Sequence, residues 1–269
     1  MSVSKLFENI QIKKRIFQNS AISILTFKEL IREKVLWSSL LFGVLCVGLA
    51  WSLSRLSFVE DSRIALDFGL TSISLIGGLL SIMLGANLVA KELESKTVYL
   101  ILAKPIRRWQ FISGRLIGLN LVLLTNMFLM AGILILVLVI SGGEFKLSIL
   151  QSLLLQFSEW IVLAAVACFF SCFSTVTLSV IFSTGIWVIG HAIFDIKLLI
   201  RRVDPPELQP VLEFLSKILP DLGKFDIKVN VSHNLFVGWS YVFSSIFYAL
   251  WFTAFVFTLT CFVFSKRDL

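Results

Sequence analysis

The sequence predicts an all-α integral membrane fold: six transmembrane helices, an N-terminal helix at the membrane surface, a short cytoplasmic helix and an amphipathic helix in an outer loop. Three observations lead there. Hydrophobic residues make up 57% of the 269-residue chain and charged residues only 15%, against roughly a quarter charged in an ordinary soluble domain. The charges are gathered in blocks rather than spread along the chain. The uncharged gaps between blocks match the ~20 apolar residues that a helix needs to cross hydrocarbon, where an open backbone finds no hydrogen-bond partner. The whole chain, 1–269, reads as one transmembrane domain.

The elements follow in order. Residues 1–34 carry seven basic side chains, and within them Ile22, Leu25, Leu30 and Ile31 alternate with Lys28, Glu29, Arg32 and Glu33. That is the pattern of a helix lying in the membrane interface with its charged face in water. This charged, mixed start is also unlike a cleavable signal. The first uncharged run lies between Lys34 and Arg55, and the second between Asp67 and Lys91. Along the second, Ser74, Gly78, Ser81 and Gly85 recur at helical spacing, a small-residue stripe suited to close helix packing. The third extends from Arg115 to Glu144. Between Lys146 and Asp195 the one charge is Glu159, in a stretch long enough for two spans, with the break expected at Ser171, Ser174, Thr175 and Thr177. A last run follows Lys228 and ends at Lys266, its helix starting near Phe236.

An even number of spans puts both termini on one side. That side collects fifteen Lys and Arg, from 1–34, from the connection after the second span and from the C-terminus, against nine on the other. Basic loops stay in the cytoplasm, so residues 1–34, 91–110 and the C-terminus are expected inside, and the loop 197–236 outside. The location expected is a bacterial cytoplasmic membrane.

The net charge of +7 belongs to this orientation and not to nucleic acid, because no basic and aromatic residues interleave. Cys46, Cys168, Cys172 and Cys261 all fall in apolar stretches, with no CxxC pair and no His at zinc spacing. No metal site is expected. Gly223-Lys224 lacks the upstream Gly and the following Ser or Thr of a P-loop, and no GxSxG or HExxH occurs. The chain is therefore expected to have no catalytic residues, no bound cofactor and no ATPase activity of its own.

Ionisable groups inside a membrane are functional candidates, and three stand out. Glu159 falls a third of the way into the fourth span or at its outer rim, and the neighbouring Trp160 favours the rim, where indoles prefer to sit. His191 and Asp195 are four apart near the outer end of the fifth span, placed to interact along one helix face.

Segment 91–110, KELESKTVYLILAKPIRRWQ, directly follows the second span. Glu92 and Glu94 stand where carboxylates favour a helix start, Val98, Tyr99, Ile101 and Leu102 form an apolar surface, and Pro105 ends the helix. Such a helix suits either docking of another protein or a plain link between spans. The stretch 91–118 resembles the corresponding segment of ABC-transporter permeases of the type 2, export-type class, with Glu92, Glu94, Thr97, Pro105, Arg107 and Arg108 at the matching positions. The chain departs at Leu93, where that family often has Arg or Lys. FKELIREKVLW (27–37) is similar to the family's first helix. LPDLGKFDIK (219–228) and FSKRDL (264–269) resemble the subclass that includes the membrane subunit of nitrous-oxide reductase maturation transporters.

The resemblance implies a permease subunit that pairs with a second copy or a paralogue. Separate ATP-binding subunits would carry the ATP and Mg and dock beneath, with 91–103 as the coupling helix. The other readings are an ATP-independent carrier and a non-transporting scaffold that transmits force.

In the outer loop, Leu208, Val211, Leu212, Leu215, Ile218 and Leu219 recur at helical spacing between Pro206 and Pro220. They predict a short interfacial helix over roughly Gln209 to Leu219, which would gate release or act as a brace.

Overall fold

Long apolar runs become helices because a helix satisfies its own backbone. In the structure, a computed structural model, every regular element among the described residues is helical. Those residues are 19–32, 39, 43–44, 61–94, 108–140, 146–200, 219–232, 235 and 237–266. Helix α1 covers residues 19–32. Then come α2 (Asp61–Glu94), α3 (Arg108–Ile140), α4 (Leu147–Ser171) and α5 (Val176–Ile200). A 3-10 turn (Leu222–Phe225), the short α6 (Lys228–Ser232) and α7 (Trp239–Lys266) follow. Five of these, α2, α3, α4, α5 and α7, are long and apolar enough to cross a membrane. Most of the first expected span, Lys34 to Arg55, lies outside the described residues. Within it Ser39, Gly43 and Val44 are helical, and Gly43 faces Ile133 of α3.

The chain turns between α4 and α5 at residues 172–175, inside the polar cluster expected to break that apolar stretch. There the Cys172 N–H donates to Phe169 O and the Ser174 N–H to Phe170 O, which closes the end of α4.

Helix α4 is the hub. It packs on α2 most extensively and also touches α3, α5 and α7. The approach of α2 rests on its glycines: Gly77 lies against the Trp160 ring, and a Cβ at Gly78 would sit 2.8 Å from Trp187 Cζ2. Further along, a Cβ at Gly85 would sit 2.8 Å from Ala164 O. Gly78 and Gly85 belong to the stripe read from the sequence; Gly77, beside it, makes the closest contact.

Helix α1 crosses α3. Asn19, Ile22, Ser23, Thr26 and Glu29 span three turns of α1, yet all meet α3 between Ser113 and Gly118. Gly114 and Gly118 make that crossing tight: a Cβ at Gly118 would meet Ser23 O at 2.7 Å. Phe111 near the start of α3 stacks on Phe264 near the end of α7, with centroids 6.2 Å apart. So α1, the start of α3 and the end of α7 share one end of the bundle.

At the other end, residues 219–232 fold back into the bundle and lean on α2, α4 and α5. Leu222 and Phe225 are fully buried, and Ile227 and Val231 nearly so. Of the amphipathic helix expected over roughly Gln209 to Leu219, all but Leu219 lies outside the described residues, Val211, Leu212, Leu215 and Ile218 included, as does Leu208 just before it. Leu219 itself is a bend before Pro220.

Candidate functional site

A membrane helix has little reason to bury polar side chains unless they find partners among its neighbours. Helix α4 buries three long ones, Gln151, Gln156 and Glu159. The Gln151 Nε2 amide donates to Val237 O at 3.0 Å, just ahead of α7. The Gln156 amide donates to Leu70 O of α2 at 3.2 Å and to Ser152 Oγ at 3.3 Å. These bonds tie α4 to chain segments on two of its sides.

Glu159 forms the centre of the site. It is 1% exposed and stands thirteenth among the twenty-five residues of Leu147–Ser171. That is the midpoint of the helix, neither a third of the way along nor at the outer rim. Trp160 is fully buried on Gly77 of α2, so it is not an interface anchor, and the inference from Trp160 to a rim position is corrected with it.

From α5, the Trp187 Nε1–H donates to Glu159 Oε1 at 2.8 Å. One turn on, His191 Nε2 lies 3.5 Å from the same oxygen, and its Nδ1 is 3.2 Å from Trp187 O. A carbonyl only accepts, so in the tautomer with its hydrogen on Nδ1 this ring nitrogen donates to Trp187 O. Nε2 faces the carboxyl oxygen, so the imidazole and the indole give the buried carboxyl group polar partners inside the bundle.

The fold-back segment 219–232 covers this centre. Asp226 and Lys228 are within electrostatic reach of Glu159, and they pair with each other at 3.4 Å. Gly190 of α5 leaves room for Leu222: a Cβ there would sit 2.7 Å from the Leu222 side chain. Two tyrosines of α7 hold the same segment. Tyr248 Oη accepts from the Asp221 N–H at 3.0 Å, and Tyr241 Oη donates to Lys224 O at 2.9 Å. Lys224 Nζ rests 4.4 Å from the Tyr248 ring centroid.

Of the residues singled out from sequence, the structure joins Glu159 to His191. Asp195 belongs to the backbone of α5, its side chain lying outside the described residues; among the described residues His191 meets Glu159 and Trp187. At the opposite end, α2 continues as helix through Lys91 to Glu94, which makes Glu92 and Glu94 part of the end of a membrane-crossing helix. Arg108 is the first residue of α3. Thr97, Pro105 and Arg107 lie outside the described residues. Sequence reasoning missed Trp187, Gln151 and Gln156. Trp187 at four residues before His191, and the Gly77-Gly78 doublet, were the available signals, and each gains meaning only once α2, α4 and α5 are known to meet.

Among the described residues, no group of three or more His, Cys, Asp or Glu side chains is placed to hold a metal. Compared with curated proteins, the chain finds no match. A model of the ABC-2 family transporter protein matches residues 20–269, that is, all of the chain but its first nineteen residues. That family is a membrane component of ABC transporters and not itself an ATPase, and five helices long and apolar enough to cross a membrane suit such a component. The chain is a multi-pass membrane protein and belongs to the ABC-2 transporter family.

Proposed function

We propose that the chain is one of two permease subunits, identical or paralogous, seated over a pair of separate ATP-binding subunits in a bacterial cytoplasmic membrane. Both termini lie inside, a sixth span occupies the run between Lys34 and Arg55, and the complex exports a substrate. The observation that carries this reading is the continuity of α2 through Lys91–Glu94 and the restart of helix at Arg108. The segment that resembles a coupling helix is thus tethered at each end to a membrane-crossing helix. Helix α2 is also the one packed on Trp160 and Trp187 through Gly77 and Gly78. A displacement imposed on 95–107 by an ATPase would reach the Glu159 centre through a rigid rod.

In this reading the segment 219–232, packed on α2, α4 and α5, closes the outer end, and its release would open the path outward. Its sequence and that of the C-terminus support the narrower assignment to the maturation-transporter subclass.

The test is co-purification. Glu92→Ala with Glu94→Ala removes the carboxylates that would hold the ATPase groove, and loss of such interfacial charges costs ~2–5 kcal/mol. The ATP-binding subunit should be lost while the permease stays folded in the membrane. Retention of the ATPase would remove these carboxylates as its anchor. Isolation of the unaltered chain from its native membrane with no ATPase attached would favour a carrier. An ATPase rate that no cargo stimulates in the purified complex would favour a force-transmitting scaffold.

A further inference from the structure

Where α1 crosses α3, the angle between the two helices holds a cleft of about 190 Å³, lined by Ile24, Phe27, Leu121, Leu124, Thr125 and Phe128. Its lining is almost wholly apolar. The one hydroxyl, that of Thr125, is turned to its own helix and donates to Leu121 O at 2.9 Å. The cleft opens outward, with Ile24, Leu121 and Phe128 exposed.

Charge frames the cleft on one side. Ile24, Lys28 and Arg32 follow each other at four-residue spacing, which places them along one line of α1, and all three are exposed. The acid between them, Glu29, is paired with Arg115 of α3 at 3.3 Å. An apolar slot therefore continues into two cations, and the acid between them is already paired.

Depth gives the third argument. Arg115 is the last charged residue of α3, and Leu116 to Ile140 is uncharged. At ~1.5 Å per residue the cleft begins roughly 9 Å beyond Arg115 and ends roughly 20 Å beyond it. One leaflet of a bilayer core is about 15 Å deep, so with Arg115 at the headgroup level the slot runs from the acyl chains of the leaflet on the α1 side to about the bilayer midplane, and Lys28 and Arg32, beside the Glu29 that pairs with Arg115, lie at the level of its headgroups.

We propose that this cleft is a binding site for one anionic phospholipid, its acyl chain lying between α1 and α3 and its phosphate held by Lys28 and Arg32. The lipid wedges the angle at which α1 crosses α3, a crossing otherwise fixed by Gly114 and Gly118. The occupant is a phospholipid and not a protein segment because the slot is almost wholly apolar, lies at membrane depth and leads to two exposed cations.

The experiment uses the purified full-length chain in detergent, titrated with phosphatidylglycerol or with phosphatidylcholine of the same acyl chains, and reads bound lipid by native mass spectrometry. The unaltered chain should keep one phosphatidylglycerol under conditions that strip phosphatidylcholine. Lys28→Gln with Arg32→Gln should erase that preference, at about fivefold for each charge removed. Thr125→Trp, which fills the slot, should lower retention of both lipids. Should Thr125→Trp fail to fold, the exposed position Ile24→Ser must show a loss in the same direction. Equal retention of the two headgroups by the unaltered chain, or undiminished retention by the filled cleft, would overturn the proposal. Neither outcome bears on the transport reading, because the measurement needs no ATPase and no cargo.

Discussion

Helices α4 and α7 are equally apolar by hydropathy, yet 72% of the membrane window of α4 is buried in the bundle against 17% of that of α7. Their buried residues show why. On α7 they form one narrow stripe, Val242, Ser245, Ala249, Val256, Thr260 and Phe264, while Phe243, Phe247, Trp251, Phe255 and Phe262 point outward. On α4 they run around the helix and include Gln151, Gln156 and Glu159 beside Ala164, Ala165 and Ala167. Apolarity gives no preference between lipid and protein inside a membrane. Small side chains that let backbones approach, and polar ones that need partners, decide which helix sits at the centre.

The comparison breaks most visibly at the α2–α4 contact. Gly77→Leu puts a side chain into the space of the Trp160 ring and should cost about 3 kcal/mol or more, or prevent folding, as overpacked cores do. Gly132→Ala is the control: a Cβ at Gly132 meets nothing within 4 Å. That change should be neutral or stabilise by up to ~1 kcal/mol. Reversible unfolding in mixed micelles measures both, and equal losses would mean that the helices do not meet as described.

A smaller effect is expected at the polar centre. Trp187→Phe keeps an aromatic ring but removes the donor to Glu159, and should cost about 1–2 kcal/mol. Glu159→Gln, which leaves an acceptor oxygen for Trp187, should cost less than Glu159→Leu. A double-mutant cycle between positions 159 and 187 should give a coupling energy of about 1 kcal/mol. A value near zero would mean that the bond contributes only local geometry.

The smallest effect belongs to α7. Phe247→Ala and Trp251→Ala, on its outward face, should each change the stability of the isolated chain by less than ~0.5 kcal/mol. If a second copy covers this face, the same changes weaken dimerisation instead. Analytical ultracentrifugation in detergent separates the two cases.

Much of the architecture was legible in the residues. The turn at 172–175 could be read because four Ser and Thr interrupt an apolar stretch too long for one span. The close packing of α2 could be read from Gly78 and Gly85, whose spacing survives into the structure. The place of Glu159 was not legible. Its neighbour Trp160 looks like an interface anchor until Gly77, on another helix, gives the indole a slot inside the bundle. The fold-back of 219–232 was hidden for the same reason. Leu222 and Phe225 have no local periodicity that says buried, and the groups that receive this segment, Gly190, Tyr241 and Tyr248, come from α5 and α7.

The sequence by itself determined that the chain lives in a membrane and, to within about six residues, where the five described spans begin and end. Those properties follow from the transfer of each segment out of water, a sum over local composition that needs no knowledge of neighbours. Only the tertiary structure decided that α4 is central and α7 peripheral, that Glu159 meets Trp187 and His191, and that segment 219–232 returns to cover them. Inside hydrocarbon these choices rest on pairwise fit, a glycine beneath an indole or a donor facing a carboxyl oxygen, and a pair has no signature in either of its halves.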